Sequence, residues 1–172
     1  MKKLILCYLL ILTATLSFIG NCGNNDAYEW YIRAQVKIVT PTSEDSFSFD
    51  ERCNITSDEI DQDIRWAIEA SDMSAPFFGI AISWKESFIS GPGTFQVDEG
   101  DFNLLPVIGR ADPTAPGWYI YYFIDEGIIT FTQVGYQSGD IIEGTFDQFR
   151  VYDWELEENI EVDNGTFRCR VE

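Results

Sequence analysis

Between Trp30 and Ile38 every second residue is apolar: Trp30, Ile32, Ala34, Val36 and Ile38 alternate with Tyr31, Arg33, Gln35 and Lys37. Successive side chains of an extended strand point to opposite faces, so this pattern offers one face to a core and the other to water. It predicts a first strand over Glu29–Val39, closed by Thr40-Pro41. Further runs follow at Phe78–Trp84, Trp118–Ile124, Gly127–Val134, Ile141–Val151 and Asn159–Val162. The turns between the later runs are Asp125-Glu126-Gly127, Gln137-Ser138-Gly139-Asp140 and Asp163-Asn164-Gly165. Short strands at such spacing, joined by Gly, Asn and Asp turns, predict an all-β chain, a single antiparallel β-sandwich domain over residues 29–172.

The triplet Gly-Thr-Phe occurs three times, at Gly93–Phe95, Gly144–Phe146 and Gly165–Phe167. Each copy reads as a strand start, in which glycine supplies the turn, β-branched Thr favours extension and Phe begins the inward set. A phosphate loop would need G-x-x-x-x-G-K-[ST] and a following helix, and neither is present. Ser46-Phe47-Ser48-Phe49 is a short alternating run with polar flanks, which suits an edge strand.

Thr56–Ala70 supports two readings. Thr56 or Ser57 could cap a helix with Asp58 and Glu59 in its first turn and Ile60, Ile64 and Ile68 on one face. The later part also alternates, with Ile64, Trp66, Ile68 and Ala70 against Arg65, Ala67 and Glu69. The expectation is a hairpin across Asp72–Pro76, with at most one helical turn near residues 57–62.

Residues 1–21 read as a secretory signal: Lys2 and Lys3, an apolar stretch from Leu4 to Leu16, then small and polar residues. Thr13, Thr15 and Ser17 interrupt it, and it is too short for the roughly 20 apolar residues of a membrane-spanning helix. Ile19-Gly20-Asn21-Cys22 resembles a lipobox, in which the cysteine is acylated and becomes the new N-terminus. On that reading Cys22 carries lipid, residues 22–28 form a flexible polar tether, and the protein sits on a bacterial cell envelope membrane, expectedly the outer one. Cleavage after Thr15-Leu16-Ser17 is the alternative, giving a secreted or periplasmic protein. Cys7 leaves with the signal, so lipid on Cys22 leaves Cys53 and Cys169, an even pair as expected of an exported domain. A Cys53–Cys169 disulfide is therefore expected, two separately buried thiols being the other possibility.

A further resemblance lies in GPGTFQV (91–97), EGIITFTQV (126–134), SGDIIEGTFDQFRV (138–151) and IEVDNGTFRCRV (160–171). Over residues 64–172 the chain is similar to a group of uncharacterised bacterial lipoproteins with a C-terminal antiparallel β-sandwich. The shared residues are turn and strand residues, so the resemblance implies a fold and an anchor without a mechanism. Cys169 departs from the group's closing strand.

All 29 acidic residues follow position 21, against nine basic ones, a net charge of −20. Nucleic-acid binding rests on Lys and Arg displacing counterions, so nucleic acid is excluded as a partner. The chain has no histidine, which removes Ser-His-Asp and Cys-His nucleophile systems and histidine zinc sites. No cofactor is implied. Asp125, Glu126 and Glu143 are the acids from which a glycan hydrolase pair would be drawn. Calcium candidates are Asp98, Glu99 and Asp101, with Asp58–Asp63 a second acidic run. Trp84 and Trp118, and also Trp154, are candidate stacking platforms for a sugar, a buried core position being the commoner reading for each. The expectation is a non-catalytic, membrane-anchored envelope module with a protein or glycan partner. A carboxylate hydrolase, or a secreted calcium- or carbohydrate-binding module, is the alternative, and two close, desolvated carboxylates in a deep cleft would distinguish the hydrolase.

Overall fold

Alternating sequence gives strands, and strands with one apolar face must cover it. The computed structural model does this with two antiparallel sheets. It describes residues 29–60, 62–72, 78–98, 101–112, 114, 119–124, 126–154 and 156–172. The signal (1–21), Cys22, the tether (22–28), Asp61, Glu99, Trp118 and Asp125 lie outside the described residues. The strands are β1 (Tyr31–Val39), β2 (Glu44–Arg52), β3 (Asn54–Ile60), β4 (Asp63–Asp72), β5 (Phe78–Lys85), β6 (Gly93–Asp98), β7 (Leu104–Ala111), β8 (Tyr119–Phe123), β9 (Glu126–Gln133), β10 (Ile141–Asp153) and β11 (Glu158–Arg170). One sheet has the order β2-β1-β11-β10-β9-β6 and the other β3-β4-β5-β7-β8.

The core lies between the sheets. Ile32, Val36, Phe131, Phe146 and Phe167 from the six-stranded sheet meet Ile68, Ile80, Ile82, Trp84 and Ile108 from the five-stranded one, all fully buried. Trp84 and Phe131 join the sheets edge to face at 5.1 Å, as do Phe49 and Phe78 at 5.6 Å. Such pairs add specificity to area burial. Two polar links also cross: Arg110 of β7 is ion-paired with Glu158 of β11, both buried, and the Tyr122 hydroxyl of β8 donates to Asp153 Oδ2 of β10 at 2.9 Å.

Ser46–Phe49 lies in β2, an edge strand as its polar flanks imply. The helical turn expected near 57–62 is absent among the described residues. Residues 54–60 are β3, paired along their length with β4, and Gln62 turns the chain at φ 69°. Ile60, Ile64 and Ile68 satisfy a helical i, i+4 spacing and a strand period of two equally, and β5 on the far side of β4 decides the matter. Only Cys53 separates β2 from β3, so one extended run leaves the first sheet and enters the second at that residue. There Cys53 is bonded to Cys169 of β11, with a Cα–Cα distance of 5.6 Å.

Only one of the three Gly-Thr-Phe copies starts a strand, at Gly93 in β6. The other two lie inside β10 and β11 and pair with each other: Gly144 opposes Phe167, Thr145 opposes Thr166, and Phe146 opposes Gly165. A Cβ on Gly144 would come within 2.5 Å of the Phe167 ring, and one on Gly165 would enter the Phe146 ring. Each glycine is thus the space across which the opposing phenylalanine lies.

The turn expected at Asp163-Asn164-Gly165 is also absent, because β11 runs straight through it. What occurs is a coupled slip of alternation: inward residues change from Phe146 to Phe149 in β10 and from Val162 to Gly165 in β11. Gln148 and Asn164 take positive φ there, 58° and 54°. Asp147 and Asp163 accept the displaced N–H groups of Asn164 and Gln148 at 2.9 and 3.2 Å. Side-chain carboxylates replace the ladder where it is interrupted, as short polar residues do at turns and bulges.

Candidate functional site

An open cleft of about 440 Å³ lies at one end of the sandwich, lined by Gln62, Asp63, Ile64, Glu86, Ser87, Ser90 and Tyr136. Three separate stretches build it. The β3–β4 turn supplies Gln62, Asp63 and Ile64. The β5–β6 connection folds back because Phe88 and Ile89 donate N–H bonds to Lys85 O at 3.0 and 3.1 Å, while Glu86 N–H bonds Ile64 O at 2.8 Å. Buried Ile89 pins that connection to the core. Tyr136, between β9 and β10, reaches in with its hydroxyl donating to Ile89 O and accepting from Trp84 Nε1 at 3.0 Å.

Asp63 and Glu86 are both held by specific donors. Ser87 Oγ donates to Asp63 Oδ2 at 2.5 Å, and this hydroxyl, with backbone N–H groups of Ser87 and Ile64 and the Lys85 charge, keeps the exposed Asp63 carboxyl below its ordinary range. Trp66 Nε1 donates to Glu86 Oε2 at 2.8 Å. The Trp66 ring lies 5.1 Å from that of Tyr136, tilted 30°. Burial, the largest influence, raises the Tyr136 phenol, and Glu86 adds to the rise while the Trp84 N–H opposes it. The cleft therefore presents fixed acceptors and an aromatic wall.

One carboxyl elsewhere is strongly raised. Glu69 stands on the outward face of β4, between Asn54 and Ala81 in register. Desolvation lifts it to about 7. No hydrogen bond or ion pair accompanies it among the described residues, and its charge adds to the burial and the Tyr119 charge that raise the Tyr121 phenol.

The residues singled out from sequence are dispersed. Trp84 is fully buried, a core residue rather than a stacking platform: Phe78, Ile80, Ile82 and Trp84 share its parity, and all face inward. Trp154 is 83% exposed and packs edge to face on Tyr152 at 4.5 Å, far from being buried. Asp98 and Asp101 shape a turn, with Asp101 N–H bonded to Asp98 O at 3.0 Å and Asn103 N–H to Asp101 Oδ1 at 2.8 Å. No group of three metal-ligating side chains occurs among the described residues. Glu143 is ion-paired with Arg168 at 3.2 Å, and Glu126 is exposed on β9. Cys53 and Cys169 are joined as expected. Of the cleft, Gln62 and Asp63 fell in the acidic run noticed from sequence and Ile64 in the alternating stretch that follows it. Glu86, Ser87, Ser90 and Tyr136 carried no motif, and the one local signal, the Ser- and Gly-rich break after β5, holds only the first three. No family model, curated protein or solved structure matches the chain.

Proposed function

We propose that the protein is a non-catalytic binding module of a bacterial cell envelope, exported by residues 1–21 and held on a membrane by lipid on Cys22, with the cleft around Glu86 as its ligand-facing surface. The observation that carries this reading is the Cys53–Cys169 bridge. Disulfides persist in oxidising compartments, which supports export. The bridge also uses two of the three cysteines beyond residue 21, leaving Cys22 as the odd thiol that acylation would consume. The interior is filled by apolar side chains, and its buried Arg110–Glu158 pair links the two sheets.

The test follows the lipid. Labelled palmitate should enter the wild-type chain, which should partition into the detergent phase. Cys22→Ala should take up no label and either leave the membrane fraction or persist as precursor. Two acyl chains are needed for stable attachment. An unacylated mature protein beginning upstream of Cys22 sinks the anchor. Reproducible hydrolysis of an ester, peptide or glycoside, abolished by a single Asp→Asn or Glu→Gln change, sinks the non-catalytic reading.

A further inference from the structure

The cleft deepens that proposal, on which this inference rests, because its charges are unevenly compensated. Asp63 lies near Lys85 and accepts from Ser87 Oγ. Glu86 has no basic partner among the described ion pairs, and its bond to Trp66 engages one oxygen only. A carboxylate has about four acceptor positions, so most of Glu86's capacity is open. It sits in the same cleft as Tyr136, whose ring face attracts a cation. Ser87, Ser90 and Gln62 add groups that both donate and accept, the chemistry that sugar hydroxyls require. A volume of about 440 Å³ falls at the small end of ligand sites, roughly 300–1,000 Å³.

We infer that the cleft between the β3–β4 turn, the β5–β6 connection and Tyr136 binds a hydroxylated organic cation of the amino-sugar class, with the ammonium group at Glu86 and hydroxyls on Asp63, Ser87 and Ser90. An ammonium supplies the positive charge that Glu86 lacks, and the sugar's hydroxyls match the donors and acceptors that Asp63, Ser87 and Ser90 bring to the cleft. A neutral sugar would satisfy the hydroxyl partners and leave Glu86 uncompensated. A simple metal cation would find two separated carboxylates where hard cations take six to eight oxygens.

The experiment uses the full chain in non-ionic detergent, titrated at constant ionic strength with glucosamine hydrochloride, glucose and N-acetylglucosamine and followed by heteronuclear NMR. Glucosamine should shift the amide signals of Ser87, Ser90 and Tyr136 and bind about two- to fivefold tighter than glucose, the effect of one exposed ion pair. Glu86→Gln, which keeps an acceptor for Trp66 Nε1, should abolish that preference while the spectrum stays folded. Equal affinity for glucosamine and glucose, or a preference that survives Glu86→Gln, overturns the ligand class and leaves a binding cleft standing. Absence of cleft shifts with all three sugars overturns the site itself, whereas the envelope reading is decided separately by lipid incorporation.

Discussion

Gly144→Ala is the substitution that most directly tests how the paired Gly-Thr-Phe segments hold the six-stranded sheet. The added methyl carbon would sit 2.5 Å from Phe167 Cζ and 3.1 Å from Phe131 Cα, and closer still to the carbonyl oxygen of Thr130. Favourable carbon–carbon contact lies near 3.5–4.0 Å, so ring and β9 backbone must retreat by about an ångström. The ring has little freedom, since Phe167 also packs on Phe131 at 5.4 Å and Phe146 at 6.4 Å. Overpacking costs about 1–3 kcal/mol, and a strained or lost ladder bond to β9 adds about 1 kcal/mol. Against this, alanine narrows the unfolded ensemble by about 0.4–1 kcal/mol. The net expectation is a loss of about 1–3.5 kcal/mol, read from the guanidinium midpoint with the disulfide intact and the slope unchanged. Gly91→Ala is the internal control, because its Cβ meets nothing within 4 Å. It should leave stability unchanged or raise it by up to about 1 kcal/mol. Gly144→Ala within about 0.5 kcal/mol of wild type, or Gly91→Ala equally damaging, would refute the account of glycine as room for the opposing ring.

Replacing both Cys53 and Cys169 by Ala opens a loop of 116-residue separation, and the chain-entropy relation gives a loss of about 5 kcal/mol as an upper value, measured as a fall in denaturant midpoint. Glu69→Gln tests the desolvated carboxyl: its folded value of about 7 lies above the ordinary 4.5, so wild-type stability should decline as pH rises through that window. The variant should lack this decline and be more stable at pH 8 by about 2 kcal/mol, the full shift being reduced for the side chain's partial exposure; parallel profiles for the two proteins would contradict the assignment. Arg110→Ala strands the buried Glu158 carboxylate and should cost about 3–5 kcal/mol, whereas Arg110→Met with Glu158→Leu should recover most of it in the same melts.

The all-β class was legible because the inward set of β1, Ile32, Ala34 and Val36, and that of β5, Phe78 to Trp84, obey a period that helices do not share. The same rule places Trp84 in the core, the commoner position for such a tryptophan and the one it occupies. The disulfide was legible as arithmetic, without any view of the corner at which Cys53 sits. β10 was legible as the run Ile141–Val151, whereas the interior of β11 was opaque for a physical reason: Asp163-Asn164-Gly165 has the composition of a turn. The carboxylates of Asp147 and Asp163, each accepting an N–H of the opposite strand, let both strands continue. The cleft could not be read because its parts, Gln62–Ile64, Glu86–Ser90 and Tyr136, are brought together by sheet order rather than by spacing.

The Cys53–Cys169 bond also determines how the domain would respond to mechanical load. Tension entering at Glu29 and resisted at or beyond Cys169 passes through the covalent link and bypasses everything between the two cysteines. Only the segment from Glu29 to Arg52 could be drawn out, about 24 residues or roughly 80 Å of contour. β4 to β10, with the cleft and the Arg110–Glu158 link, would remain unstretched inside the closed loop. A pulling experiment should therefore show one short extension in the oxidised protein and, after reduction, a release many times longer.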